Sequence, residues 1–156
     1  MEEFWQRERL KPNGLHYYDL AYVDERPKAE ALEILDRLLE QDPQHPELLR
    51  RKAWLLIRTH RCDAAVDLLK PFAIVPDPSG YRAVIFVLYC NALIGAELPL
   101  VALNLLGPKL RRPDTFIARL AEAHTIYAQA LAKTATPLAA ANYLLTQLGE
   151  IGRAHV

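Results

Sequence analysis

One spacing constrains this chain more than any other feature of it. Leu15, Tyr18, Asp19, Tyr22, Ala31 and Leu35 form a set closed by Pro43, and thirty-four residues later Leu49, Lys52, Ala53, Leu56, Ala65 and Leu69 stand at the same places. Phe86, Tyr89, Cys90, Leu93, Ala102 and Leu106 keep the internal spacing, as do His124, Tyr127, Ala128, Leu131, Ala140 and Leu144, while the alanines step by 34, 37 and 38. Self-similarity at such a period means one supersecondary unit, repeated and stacked, because a single unit cannot bury its own apolar face. Apolar residues recur at three and four and almost never alternate, which is the period of a helix. The one Asn-Gly pair, Asn13-Gly14, follows Lys11-Pro12 and precedes a helical Tyr/Leu pattern, so it joins no two strands. The expectation is an all-α chain.

The 11 prolines read as punctuation between helices, at places where a missing N–H is harmless. With the apolar pattern they predict helices near 13–25, 27–41, 46–59, 62–73, 80–95, 98–107, 114–134 and 137–149. Asp42-Pro43 closes the second, Gly107-Pro108 stops the sixth early, Asp114 or Thr115 caps the seventh, and Thr136-Pro137 is an N-cap followed by proline at the first helical position. In each pair the alanine marks a close helix crossing, with larger residues filling the grooves beside it.

Spacing and punctuation together resemble the tetratricopeptide repeat, a 34-residue helix-turn-helix, with Asp42-Pro43-Gln44-His45-Pro46-Glu47 as the link between two copies. The resemblance implies antiparallel helix pairs stacked as a short right-handed superhelix, with an irregular helical bundle as the alternative. It divides a single domain, 1–156, into a segment 1–11, repeats near 12–45, 46–78, 79–113 and 114–149, and a tail 150–156. The chain departs from the pattern at Asp19, Lys52 and His124, where the repeat has small or apolar residues. Arg26, His60, Glu97 and Ala135 stand in turn where it has a glycine.

Lys plus Arg and Asp plus Glu are 19 each, so no net field draws the chain to nucleic acid or an anionic membrane. The basic clusters Arg50-Arg51-Lys52 and Lys109, Arg111, Arg112 lack interleaved aromatics for stacking and read as solvated faces. Charges interrupt residues 1–10, unlike a secretory signal, and the longest apolar run, Ala83 to Ala96, is shorter than the roughly 20 residues a spanning helix needs. Two cysteines, Cys62 and Cys90, both within apolar periodic segments, fit a reduced, cytoplasmic protein. No nucleotide, zinc-protease or nucleophile-elbow motif is present, and five scattered histidines offer no ligand set. Cys62 beside Arg61 at a helix start is open to activation or to plain packing. The expectation is a non-enzyme with no cofactor and no metal.

A surface remains. In the family that the chain resembles, the first helix of each pair lines a concave groove, and the matching positions include Leu20, Arg50, Trp54, Ile57, Arg58, Val87, Asn91 and Ile94. His16 and Leu20 stand where a carboxylate clamp would need Lys and Asn, so the groove is expected to suit an apolar or amphipathic protein segment. The same residues also suit packing between adjacent helices. The functional expectation is an adaptor or chaperone, with a structural or self-associating subunit of a larger assembly, such as a secretion apparatus, as the alternative. Phe4 and Trp5, the aromatic residues of the first nine after Met1, are expected to dock on the array.

Overall fold

The computed structural model describes residues 23–154, with the side chains of Leu148 and of 150–154 outside that description. The expected helix near 13–25, the groove position Leu20 and the docking of Phe4 and Trp5 therefore lie outside the described residues, apart from that helix's last residues from Val23 onward. Among the described residues there are seven α-helices and no strand: α1 (Lys28–Gln41), α2 (Pro46–Arg58), α3 (Cys62–Ala73), α4 (Tyr81–Gly95), α5 (Pro99–Leu110), α6 (Ala121–Thr134) and α7 (Pro137–Ala154), with a 3-10 turn at Ile117–Arg119.

Helices pack as antiparallel neighbours in chain order, and alternate helices also touch, α2 with α4 and α4 with α6. That is the pattern of a stack in which α2/α3, α4/α5 and α6/α7 are pairs and the first helix of each pair leans on its predecessor. The four repeat alanines are buried: Ala31, Ala65 and Ala102 at 2% exposure or less, Ala140 at 8%. The larger repeat residues Leu35, Leu49, Leu69, Phe86, Leu93 and Leu106 fill the core around them. Lys52, half-buried in place of an apolar residue, reaches out to Asp36 of α1 at 2.6 Å. His124 is buried at its irregular place because both ring nitrogens are matched, Nε2 against the Ala118 carbonyl and Nδ1 against the Tyr143 hydroxyl, each at 2.6 Å. A carbonyl only accepts, so Nε2 carries a hydrogen.

Several ends fall where the residues predict. Asp42 closes α1, and the Thr136 hydroxyl accepts from Ala139 N–H at 3.0 Å, capping α7 ahead of Pro137. Four expectations need correction. Gly107-Pro108 does not stop its helix: α5 runs on to Leu110, and Arg111 N–H still reaches the Gly107 carbonyl at 3.1 Å. Pro71 likewise lies inside α3, so two of the 11 prolines are not punctuation. Each stands in the last turn of its helix, where the missing N–H removes one bond while packing holds the rest. The seventh expected helix begins at Ala121, not at 114: Thr115 caps the 3-10 turn through Ala118 N–H at 3.2 Å, and Leu120 is extended. Ile117, the first residue of that turn, lies inside at 1% exposure. At the other end α7 continues past 149 to Ala154.

The missing turn glycines have a structural counterpart. His60 and Glu97 both take left-handed conformations, φ 60° and 63°. Both helix ends close alike, Arg61 N–H on Leu56 O and Leu98 N–H on Leu93 O at 2.8 Å, each beside a bond from the left-handed residue to the carbonyl three before it. This is the double-bonded helix stop that glycine usually supplies. A side chain in that conformation costs about 1 to 2 kcal/mol, and the exposed Glu97 to Lys133 pair at 4.0 Å offsets little of it. Glu97→Gly should therefore raise stability in urea denaturation, by about 0.5 to 1 kcal/mol after the added freedom of the unfolded chain is subtracted. A lower midpoint would show that the Glu97 side chain contributes more than its backbone costs.

Candidate functional site

The second helix carries two faces. His45 caps it, its ring Nδ1 accepting from Leu48 N–H at 3.4 Å, and Pro46 occupies the first helical position. From that start Leu48, Leu49, Ala53 and Leu56 turn inward. The opposite stripe, at the three- and four-residue spacing of one helix face, is Glu47, Arg50, Arg51, Trp54 and Arg58.

Arg50, Arg51, Trp54 and Arg58 of this stripe, with Leu55 beside them, form one wall of a cleft of about 510 Å³, whose other wall is the start of α1 and the residues before it, Val23, Asp24, Arg26, Lys28 and Ala31. Trp54 is 45% exposed within it. The Arg58 guanidinium lies over the indole, 4.4 Å from the ring centroid, an i,i+4 cation–π pair that holds both groups in place. Among the described residues the lining carries Arg26, Lys28, Arg50, Arg51 and Arg58 against one carboxylate, Asp24.

Glu47 organises the arginines. Its carboxylate accepts from Arg50 Nη2 at 2.5 Å and Nε at 3.2 Å, and from Arg51 Nε at 3.1 Å. Arg51 also donates to Asp24, tying α2 to the segment ahead of α1. Burial pushes the Glu47 carboxyl up, but the hydrogen bond and charge of Arg50, joined by those of Arg51, outweigh it and hold the group below the usual carboxylate range. The bond to Glu47 in turn raises Arg50 further above its usual value, against the opposing effect of burial, helped by the charges of Glu47, Tyr81 and Asp24. The two basic groups are thus fixed in direction while the Arg58 and Trp54 surfaces stay open.

The structure brings Arg50, Trp54 and Arg58 together and places the other expected groove residues elsewhere. Ile57 is half-buried against the core, Val87 and Ile94 are 2% and 5% exposed inside it, and Asn91 is half-buried. The reason is that α4 is apolar almost all round and is wrapped by α2, α3, α5 and α6, so its matching face has no solvent to meet. Arg51 and Leu55 join the cleft although the basic run read as a solvated face; their spacing of four, continuing from Glu47, was the available signal.

The cysteines carry no comparable arrangement. Cys62, the first residue of α3, packs against Gly95, and burial pushes the Cys90 thiol up to about 12, the nearby Lys109 opposing weakly. Among the described residues no three His, Cys, Asp or Glu side chains are grouped as metal ligands would be, and no helix is long and apolar enough to cross a membrane.

Because the folded-state Glu47 value is depressed, its ion pairs add stability above the unfolded carboxylate value near 4.5, and that contribution is lost as pH falls through the folded value. Glu47→Gln should lower stability at neutral pH and flatten its decline below about pH 4.5. A variant with the same acid limb as the parent would show that Glu47 is not held by the two arginines.

Residues 29–72 match the family model described as tetratricopeptide repeat. No curated protein and no solved structure matches the chain. The matched segment covers α1 to α3, including Ala31, Ala65 and the Asp42-Pro43 link, and the pairing continues through α4 to α7. Repeats of this family bind proteins or peptides and are generally without enzymatic activity. Its repeat match and its stacked helix pairs make the chain a tetratricopeptide-like helical repeat protein.

Proposed function

We propose that this protein is a small cytoplasmic adaptor or chaperone, without a reaction of its own, that binds an amphipathic protein segment in the cleft around Trp54. The observation that carries the reading is the exposed indole capped by Arg58 on the open wall of a cleft with an excess of basic groups. An apolar side chain of the ligand would cover the indole. Acidic side chains on its flanks would meet Arg50 and Arg58, whose positions are already fixed. Covering apolar surface is worth about 25 cal/mol per Å², and tryptophan and arginine are among the residue types enriched where binding energy concentrates. Ile57, Val87, Asn91 and Ile94 support the reading from behind, as packing that keeps α2 in register with α4. Under it, shielding an apolar segment until its destination is reached is the chaperone role.

The alternative, a permanent subunit of a larger assembly, differs in that the cleft would be filled at rest. Calorimetric titration with an acidic amphipathic helical peptide distinguishes the two. The parent protein should bind it, with affinity that falls as salt rises. Trp54→Ala should weaken binding by about 2 kcal/mol or more with helix content unchanged. Loss of folding without a separable binding defect, or equal binding by parent and variant, would remove Trp54 as the anchor.

A further inference from the structure

In a stack of helix pairs the second helix of each pair presents an outward face, and the repeat register makes those faces comparable. On α1 the three matched positions are Ala29, Glu33 and Asp36, and on α3 they are Asp63, Asp67 and Lys70, exposed and mostly charged; on α5 they are Leu100, Asn104 and Gly107, with Leu100 61% exposed but Gly107 buried, so that stripe ends after one leucine. On α7 the same places hold Leu138, Asn142 and Leu145, and the two leucines are 68% and 67% exposed. From Thr134 to Gly149 there is no Asp, Glu, Lys or Arg. The edge beside this stripe is also uncovered. Val66 of α3 and Leu103 of α5 pack inward against the core, whereas their counterpart Ala141 is exposed. Exposed leucines grouped on one uncharged helix face mark an interaction surface.

We infer that the outward face of α7 pairs with α7 of a second copy of this chain, antiparallel about a two-fold axis passing between Ala141 and Asn142. Three features of the stripe fit that occupant. Its spacing is palindromic, so Leu138 of one copy meets Leu145 of the other at both ends. Asn142, beside the axis, meets its own counterpart, and a side-chain amide is both donor and acceptor, so it pairs with itself and fixes the register, as a lone asparagine does in a helical seam. The absence of charge matters most: an isologous contact sets every residue near its own copy, which penalises a charged face and leaves this one unopposed. One helix face buries less than a standard interface, so the dimer forms with a dissociation constant in the micromolar range.

Sedimentation equilibrium over a protein concentration series tests this directly. The parent should shift from monomer to dimer across that range. Leu145→Lys and Leu138→Glu, both at exposed positions, should each weaken self-association at least about tenfold, since each sets a charge against a leucine. Mixed together, the two variants should associate again, because Lys at 145 of one copy then faces Glu at 138 of the other. Trp54→Ala should dimerise like the parent, which separates this surface from the binding cleft. A parent that stays monomeric throughout, single variants that associate like the parent, or a mixture no stronger than its components would each overturn the pairing.

Discussion

The stack depends on how closely α3 can lie against α4, its most extensively packed neighbour. Cys62 opens α3 directly against Gly95 at the end of α4. A Cβ added at Gly95 would stand 2.4 Å from the Cys62 sulfur and 3.2 Å from its Cβ. A little further along, Ala65 of α3 and Ala92 of α4 are fully buried with Leu56 of α2 in one small cluster. Small side chains at these points of the crossing let the backbones approach, and the long residues Leu69, Phe86 and Leu93 belong to the core beside them. This contact joins one pair to the next, so the cleft, the buried α4 and the exposed last helix all inherit their positions from it.

From that crossing the geometry of the cleft follows. With α4 enclosed by its neighbours, its groove-side residues become core, and the open surface is displaced onto α2, whose outward stripe carries both the charge and the indole. Glu47 then has two duties. It neutralises part of the arginine cluster, which stabilises the helix start, and it sets the direction of Arg50 and Arg51 while leaving Arg58 to the Trp54 ring. A binding surface in which the cations are already held loses less side-chain freedom on engaging a ligand.

How far the residues announced this differs from place to place. The alanine spacing located the crossings because a helix contact leaves a strict size requirement at fixed intervals, and the Asp42-Pro43 link marked the boundary because proline ends a helix by sterics alone. Trp54, Arg50 and Arg58 were legible as one face from their spacing of four. Val87 and Ile94 were not legible as core, because whether a helix is enclosed depends on neighbours distant in sequence. The helix through Pro108 and the 3-10 turn at Ile117 were missed for a related reason: tertiary burial overrode a local stop in one case and broke a favourable helical run in the other. His124 looked like a defect of the repeat until its partners, Tyr143 from α7 and the Ala118 carbonyl, supplied both hydrogen bonds.

The central claim, that close approach of α3 and α4 holds the array, is tested most directly by a double-mutant cycle of Gly95→Ala and Cys62→Ala in urea denaturation. With Cys62 present, the added methyl should overpack the crossing and cost about 1 to 3 kcal/mol. With Cys62→Ala the sulfur is gone, and the same change should be neutral or stabilising, since alanine is the better helix former by about 1 kcal/mol. A coupling energy above about 1 kcal/mol is therefore expected between the two sites. If Gly95→Ala has the same effect in both backgrounds, the two helices do not meet there as described, and the account of the stack fails.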